Sequence, residues 1–196
     1  NNAAVAAAGA LTSVDRVAII DWDTHHGNGT QSIFYNEDRV LYCSVHEKGA
    51  FPHTGLIDET GTGRGTGFTI NAPLQHSSTI ADYSHIFTEI FIPALQRFKP
   101  DLIIISAGQD ILHDDPVSCM RLMPDDVGTL TSLIRSSGDY PLALILEGGY
   151  GPSHPDAIRS IFDNLDGTIS VPNLSGKPGK STLETTRQLK KIHHLS

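Results

Sequence analysis

Short apolar runs alternate with longer amphipathic stretches along most of this chain. Four of the runs have the strongly apolar character of strands that are covered on both faces. They span residues 17–22, 39–45, 102–106 and 141–146, and a fifth strand is predicted at 68–71. Because helical patterns separate these strands, the sequence predicts a mainly parallel sheet with helices on its faces, which is the α/β class.

Six helical segments are predicted around the strands. They span residues 1–11, 30–34, 78–98, 124–136, 155–165 and 182–192. Ser78 is a suitable N-cap for the third helix, and Pro93 is expected to bend its last turns. Pro124 and the two acids that follow it suit the first turn of the fourth helix. Residues 167–181 are rich in Gly, Pro and Ser, and they predict a surface linker before a loosely docked closing helix.

Length, charge and cysteine content narrow the function. The 196 residues suffice for one domain with a substantial core, and the formal charge of −8 disfavours nucleic acid as a partner. No apolar run reaches the ~20 residues of a membrane span. Cys43 and Cys119 lie far apart, so we expect reduced thiols in an intracellular compartment, by default the cytoplasm. The chain starts without methionine inside a helical pattern, which indicates a part of something longer, and self-association stays open.

A glycine-rich run at residues 61–67 could suggest a phosphate-binding loop. It lacks the Lys-Ser/Thr pair of a P-loop, and it leads into a strand where a dinucleotide-binding motif would lead into a helix. We therefore expect a tightly turned loop here and no nucleotide site.

Polar side chains follow three of the predicted strands. Asp23 and His25 follow the first strand, while Asp110 and Tyr150 follow the last two. Ligand sites in open α/β sheets lie beyond the carboxyl ends of the strands, so we expect these groups to meet in one crevice. Alternation along the first strand also predicts that Asp21, Asp23 and His25 point to the same face.

Asp23, His25 and Asp110 together suit a metal ion. Two carboxylates and one imidazole are three protein ligands of the kind that a catalytic zinc uses, with one position left for water or substrate. The carboxylates make the site harder than a three-histidine site, so Fe²⁺, Mn²⁺ and Co²⁺ remain alternatives to Zn²⁺. Tyr150 lies between glycines and could turn its hydroxyl towards a reacting carbonyl to stabilise the oxyanion. The structural alternative is an acid that caps the next helix beside a packed histidine.

Three motifs lie at these strand ends, in the order Asp21-Trp22-Asp23-Thr24-His25-His26-Gly27-Asn28-Gly29-Thr30-Gln31, Ser106-Ala107-Gly108-Gln109-Asp110 and Leu146-Glu147-Gly148-Gly149-Tyr150. Together they resemble the histone deacetylase superfamily, which includes the bacterial acetoin-utilisation proteins and the acetylpolyamine amidohydrolases. The likeness runs through almost the whole chain. Asn28 and Glu147 look closer to the acetoin-type, polyamine-type and class II members than to class I enzymes.

The resemblance implies a zinc-dependent amidohydrolase on the three-layer arginase/deacetylase-like α/β fold. In this likeness Asp23, His25 and Asp110 match the metal ligands, and Tyr150 matches the tyrosine that polarises the acetyl carbonyl. The implied substrate is an acetylated amine, such as acetyl-lysine or an acetylpolyamine.

Further residues are implied around the metal. Phe51, Gly149 and Val117 match substrate-binding positions, with Phe51 on a tunnel wall and Val117 near its mouth. Asp21 and Asn28 match residues that orient the catalytic histidines. A structural K⁺ site is implied at Asp21, the backbone carbonyls of Asp23 and His25, Ser44 and Val45.

Two departures from the family pattern matter. The family's His-His pair, which deprotonates the attacking water, lies upstream of the position that matches Asn1. We therefore expect residues 1–196 to be the second half of a deacetylase catalytic domain, with its N-terminal part missing and with residues 167–196 as linker and C-terminal helix. Such a piece is expected to be inactive by itself. Gln109 is unusual before the third metal ligand, which leaves the rim geometry and the substrate open.

Two other functions stay open. An arginase-type ureohydrolase would need a second metal and a further acid beside Asp110, where this chain has Gly108 and Gln109. A non-catalytic relative could keep the fold and the metal only to bind a partner. Its complete sequence would then also lack the His-His pair.

Overall fold

The computed structural model describes residues 1–166 and 176–195. Five strands lie in this part of the chain: β1 (Val17–Asp21), β2 (Val40–Glu47), β3 (Thr69–Leu74), β4 (Leu102–Ala107) and β5 (Leu142–Leu146). Seven α-helices surround them: α1 (Asn2–Ala10), α2 (Asn28–Phe34), α3 (Ile80–Ile86), α4 (Ile92–Phe98), α5 (Pro124–Ser136), α6 (His154–Leu165) and α7 (Lys180–His193). All of the predicted strands are therefore present, with small shifts at their ends.

The five strands form one parallel sheet in the order β3-β2-β1-β4-β5. β1 is central, and its first residue, Val17, pairs with Val40 on one side and Leu102 on the other. Both neighbours run parallel to β1, so the carboxyl ends of all three strands lie at the same edge of the sheet. This arrangement confirms the predicted α/β class.

Alternate side chains of β1 pack into two different hydrophobic cores. Ala18 and Ile20 belong to a large core that includes apolar residues from α3 to α7. Val17 and Ile19 belong to a smaller core with residues from α1 and α2. These β1 residues are fully buried, and burying a Val or Ile side chain contributes about 1.5–3 kcal/mol. The chain is thus a three-layer structure in which the sheet lies between two layers of helices.

The predicted helix at 78–98 is divided and starts one residue later. Thr79, and not Ser78, is its N-cap, because the Asp82 carboxylate accepts the Thr79 N–H at 3.0 Å in a capping box. A π-helical turn at Phe87–Phe91 separates α3 from α4. Pro93 lies just after this turn and has no N–H for the preceding turn, which is the physical reason for the predicted interruption.

The closing helix α7 docks more firmly than the sequence suggested. Leu189 is fully buried in the large core, and Asp82 accepts hydrogen bonds from the Gly179 N–H at 2.8 Å and the Thr182 hydroxyl at 2.6 Å. The Nζ of Lys190 lies 2.6 Å from a carboxylate oxygen of Glu89. The prediction of a loose helix was therefore wrong. Most of the predicted linker, at 167–175, and Ser196 lie outside the described residues.

Strand β5 also differs from its prediction as a buried strand. It is the last strand at one edge of the described sheet, and its residues are only partly buried. Leu146 at its end is exposed. The apolar pattern predicted the strand but could not indicate its edge position, because that depends on which other strands pair with it. Within the described residues, no helix is long and apolar enough to cross a membrane.

Candidate metal centre

Asp23 and His25 lie in a turn that follows β1, and not in the strand itself. β1 ends at Asp21, whose Oδ1 accepts the Asp23 N–H at 3.1 Å. Asp23 Oδ1 in turn accepts the His25 N–H at 2.8 Å. Side-chain-to-backbone bonds of this kind are typical of Asp in turns. Side-chain alternation along the strand therefore applies only as far as Asp21. The two hydrogen bonds orient Asp23 and His25 instead.

Asp110 reaches the same place from the end of β4. Its Oδ1 accepts the Thr24 N–H at 2.9 Å, and its Oδ2 lies 2.9 Å from His25 Nδ1. The same Nδ1 lies 3.3 Å from Asp23 Oδ1. One ligand-type atom from each of Asp23, His25 and Asp110 lies within 4.8 Å of the other two. The structure thus brings together the three residues that the sequence singled out, from two paired strands.

Two glycines leave room for these carboxylates. A Cβ atom on Gly108 would lie 2.5 Å from Asp23 Oδ2, and one on Gly148 would lie 3.1 Å from Asp110 Oδ2. The Gly148 N–H also donates to Asp23 Oδ2 at 3.3 Å. The glycine at each of these positions is therefore explained by close approach of the backbone to a carboxylate.

The electrostatics of the cluster favour a cation. Hydrogen bonds to Asp110 and Asp23 raise the pKa of His25 to about 10. Burial raises the pKa of Asp110 to about 6. Burial also opposes ionisation of Asp23, but its hydrogen bonds with His25 prevail and lower its pKa. A proton on Nδ1 thus lies where two carboxylates converge, and the two carboxylates with one imidazole are a donor set that fits a divalent metal.

A polar cavity of about 340 Å³ opens beside the cluster. Asp21 and Asn28 line it together with Asp23, His25 and Glu147. Asn28 is exposed as the first residue of α2. Both predicted supporting residues, Asp21 and Asn28, therefore border the space next to the cluster.

Asp21 is held in place by the strand next to it. Its Oδ2 accepts the Tyr42 hydroxyl at 2.9 Å, and burial together with the charge of Asp23 raises its pKa well above the usual range. In the β1–β2 register Asp21 lies opposite Ser44. Ser44 and Val45 are fully buried, and the Ser44 hydroxyl lies 2.9 Å from His46 Nδ1. The side chains implied for a K⁺ site are thus neighbours in the sheet.

Tyr150 does not lie over the cluster in this structure. Tyr150 is 68% exposed and lines a surface depression with Pro152 and His154, separate from the cavity beside Asp23. Gly149, with φ of +135°, precedes it in a conformation that favours glycine, and the Gly149 carbonyl accepts a hydrogen bond from His154 Nδ1 at 3.1 Å. The sequence predicted a phenol above the metal, whereas the loop conformation directs it to the surface.

Two other predicted substrate residues, Phe51 and Val117, are also exposed. Phe51 is 74% exposed in the loop after β2, and Val117 is 52% exposed in the loop after β4. Gln109, which departs from the family pattern, is fully buried, and its Nε2 donates to the Ala107 carbonyl at 2.9 Å. It therefore lies beneath the Gly149 loop and does not itself form the rim.

Two acids near the site were given no function in the sequence interpretation. Glu147 borders the polar cavity and accepts a hydrogen bond from the Ser106 hydroxyl at 3.2 Å, and burial raises its pKa. Its position directly after β5 is the same signal that identified Asp23. Asp115 is buried, and its Oδ2 accepts the N–H groups of Tyr150 at 2.6 Å and Gly151 at 3.1 Å. No local pattern could reveal this contact between distant segments.

Fold and site together define a class, namely α/β proteins with a cluster of candidate metal ligands at the carboxyl ends of neighbouring parallel strands. Comparison with known proteins identifies the family within it. Residues 1–165 match the family described as "Histone deacetylase domain", and the chain belongs to this family. This membership implies a metal cofactor, and the cluster of Asp23, His25 and Asp110 offers the ligands for one.

Relatives and solved structures match most of the chain. It is 44% identical over 202 residues to "Histone deacetylase HDA1" of Candida albicans, a match to 98% of this chain and 23% of that protein. It is 38% identical over 175 residues to "Histone deacetylase-like amidohydrolase" of Pseudomonas aeruginosa, covering 86% and 46%. The crystal structure of the HDA15 HD domain is similar with a TM-score of 0.90 and 35% identity, covering 98% and 54%. The chain therefore spans about half, or less, of these proteins.

Proposed function

We propose that the full-length protein containing this chain hydrolyses the N-acetyl amide of an acetylated amine, with acetyl-lysine and acetylpolyamines as the substrate classes. The observation that carries the proposal is the convergence of Asp23, His25 and Asp110 in a member of the histone deacetylase family. The proposed metal is Zn²⁺, because two carboxylates and one imidazole leave one open position of the kind that a catalytic zinc uses.

A divalent cation bound there would polarise a carbonyl and lower the pKa of water. The chain's own contribution is orientation. Each carboxylate accepts a backbone N–H, from Gly148 for Asp23 and from Thr24 for Asp110, so both are held before any ligand arrives. Asp110 and His25 also come from different strand ends, so sheet pairing sets their separation.

Tyr150 is proposed as the donor that stabilises the oxyanion of the acetyl group. Its exposed ring has space to rotate, and glycines flank it on both sides. Asp115 fixes the backbone of the loop while the side chain stays free. The proposal therefore requires a change of side-chain rotamer towards the cluster when substrate binds.

The general base is proposed to come from outside residues 1–196. His26 follows the proposed ligand His25 in the sequence. Its Nδ1 lies 2.8 Å from the Thr54 hydroxyl, and its Nε2 lies 2.9 Å from Gln31 Oε1. Burial lowers its pKa. With both nitrogens engaged it supports the loop and does not suit proton abstraction. Because a positioned base contributes about 10²- to 10⁴-fold, we expect residues 1–196 alone to turn over very slowly.

The substrate channel is proposed to run past Phe51, Val117 and Gly149. These residues lie on three separate loops at the carboxyl edge of the sheet, and the first two present exposed apolar side chains. A K⁺ ion is proposed at Asp21, Ser44 and Val45, together with the backbone carbonyls of Asp23 and His25. The support for this ion is that Asp21, the last residue of β1, pairs with Ser44 of β2, next to Val45.

The test is an acetate-release assay on the full-length protein with an acetyl-lysine peptide and an acetylpolyamine. We expect activity with one zinc per active site and inhibition by a hydroxamate. Asp110→Asn should lose activity together with the metal of the Asp23–His25–Asp110 cluster. Tyr150→Phe should keep its metal and lower kcat by about 10²-fold or more, the usual cost of removing one oxyanion donor. Full activity in Tyr150→Phe would contradict its assigned role, and no acetate release at all would favour a non-catalytic relative.

The ureohydrolase alternative has weaker support. It needs a second acid beside Asp110, but the neighbouring Gln109 is an amide directed at the Ala107 carbonyl. Elemental analysis separates the two proposals, because two manganese ions at this site with urea release would replace the deacetylase assignment.

A further inference from the structure

A second group of ligand-type side chains meets on the surface, outside the cluster of Asp23, His25 and Asp110. Glu47 ends β2, His76 follows β3, and Cys119 lies in the loop between β4 and α5. His76 Nδ1 lies 3.1 Å from Glu47 Oε1, and one ligand atom from each residue lies within 4.8 Å of the other two. We propose that Glu47, His76 and Cys119 form a second metal site, the peripheral site, that binds Zn²⁺.

The donor set decides which metal fits. A thiolate, an imidazole and a carboxylate are all zinc ligands, whereas Mg²⁺ and Ca²⁺ prefer oxygen alone. Tetrahedral zinc with bonds of about 2.0–2.3 Å would place its ligand atoms roughly 3.4–3.6 Å apart. The side chains of His76 and Cys119 are exposed, so small rotations can close the remaining gap. A water molecule would complete the coordination.

The backbone already holds the three segments together. The Ser77 N–H donates to the Cys119 carbonyl at 3.0 Å, next to His76, and the Lys48 N–H donates to the Leu74 carbonyl at 2.7 Å, next to Glu47. The ligands therefore converge without any metal. Binding then requires only that side chains be ordered, which costs less conformational entropy than ordering a loop.

The peripheral site adjoins the first cluster through Thr24. The Thr24 carbonyl accepts the Glu47 N–H at 2.8 Å, and the Thr24 hydroxyl lies 3.0 Å from the hydroxyl of Ser118. The Thr24 N–H is the donor to Asp110. A metal at the peripheral site would thus brace two segments that contact Thr24, although the two sites share no ligand.

The experiment is a Co²⁺ titration of the reduced, metal-free full-length protein, followed by near-ultraviolet absorption. Sulfur-to-cobalt charge transfer reports a thiolate ligand, and the Asp23–His25–Asp110 cluster contains no sulfur. Within the described residues Cys43 is the only other cysteine, and it is buried with its pKa raised by burial. We expect a charge-transfer band once Co²⁺ saturates both sites, and this band should disappear in Cys119→Ser.

Asp110→Asn separates this proposal from the proposed function. This variant should lose the metal of the Asp23–His25–Asp110 cluster and keep the charge-transfer band of the peripheral site. His76→Ala and Glu47→Gln should each weaken the affinity that the band reports by about tenfold or more, while Lys48→Ala, a neighbouring surface change, should leave it unaltered. A flat difference spectrum between the wild type and Cys119→Ser would overturn the peripheral site. So would a band whose affinity neither His76→Ala nor Glu47→Gln changes, since the thiol would then bind cobalt alone.

Discussion

Substituting Asp115 offers a direct way to disturb the Tyr150 loop without changing Tyr150 or the proposed metal ligands. The Oδ2 of Asp115 accepts the N–H groups of Tyr150 at 2.6 Å and Gly151 at 3.1 Å, and its Oδ1 accepts the Val117 N–H at 2.9 Å. Asp115 is buried, so water competes poorly for these donors. One side chain thus joins the loop after β4 to the loop after β5.

The size of the effect follows from these three bonds. A hydrogen bond to a charged group contributes about 1.5–3 kcal/mol, which sets a ceiling of roughly 4.5–9 kcal/mol for all three. Water can reach the exposed outer side of the loop and replace some of these hydrogen bonds. We therefore expect Asp115→Ala to lower the free energy of unfolding by about 2–4 kcal/mol. Asp115→Asn can keep an oxygen facing the two loop donors, and we expect it to lose about 1–2 kcal/mol.

Two measurements on the full-length protein test this reasoning: chemical denaturation, and acetate release with metal content determined in parallel. Asp115→Ala should lower kcat by about tenfold or more, equivalent to about 1.4 kcal/mol, with its metal retained. Asp114→Ala is the matched control, because Asp114 Oδ2 binds the N–H and hydroxyl of Ser153 at 3.1 and 2.7 Å and makes no bond to Tyr150. An equal loss of kcat in both variants, or loss of metal in step with activity, would refute a specific role for Asp115 in positioning the loop.

Three further predictions concern stability, each measured by chemical denaturation. Gly149→Ala should destabilise the protein by about 2 kcal/mol or more, because the new Cβ would lie 2.6 Å from Gln109 Cβ and φ is +135°; a neutral effect would mean that the loop relaxes freely. Leu189→Ala should lower the free energy of unfolding by about 2–5 kcal/mol, since this α7 side chain is fully buried. A decrease below about 1 kcal/mol would support the original prediction that α7 docks loosely. Burial lowers the pKa of His46 to about 3, so the unfolded chain takes up a proton near pH 6.5 that the folded ring does not. The stability that His46 contributes is therefore complete above about pH 6.5 and falls by about 2 kcal/mol on going to pH 5; His46→Gln should remove this slope, and an unchanged slope would assign it to other groups.

Much of the Asp23–His25–Asp110 cluster could be predicted because its signals are local. Asp23 and His25 are the second and fourth residues after an apolar strand, and Asp110 is the third residue after another. Parallel pairing then brings both strand ends to one edge of the sheet. The explanation for Asp23 and His25 needed correction, since turn hydrogen bonds and not strand alternation orient them.

Other features depend on contacts that no local pattern records. Asp115 and Tyr150 are 35 residues apart, and Asp82 and Thr182 are 100 apart, yet each pair is joined by a hydrogen bond. The outward position of Tyr150 likewise depends on the conformation of its loop. A sequence pattern shows that a residue is polar but not which distant partner satisfies it.

The sequence by itself determined the order of strands and helices, the parallel α/β class and the polar residues at the strand ends, because hydrophobic periodicity and turn chemistry act over a few neighbouring residues. Only the tertiary structure decided that β5 is an edge strand, that α7 packs into the core and that Glu47, His76 and Cys119 meet. These outcomes depend on which surfaces cover one another and on packing between segments far apart in the chain. They are properties of the folded arrangement as a whole.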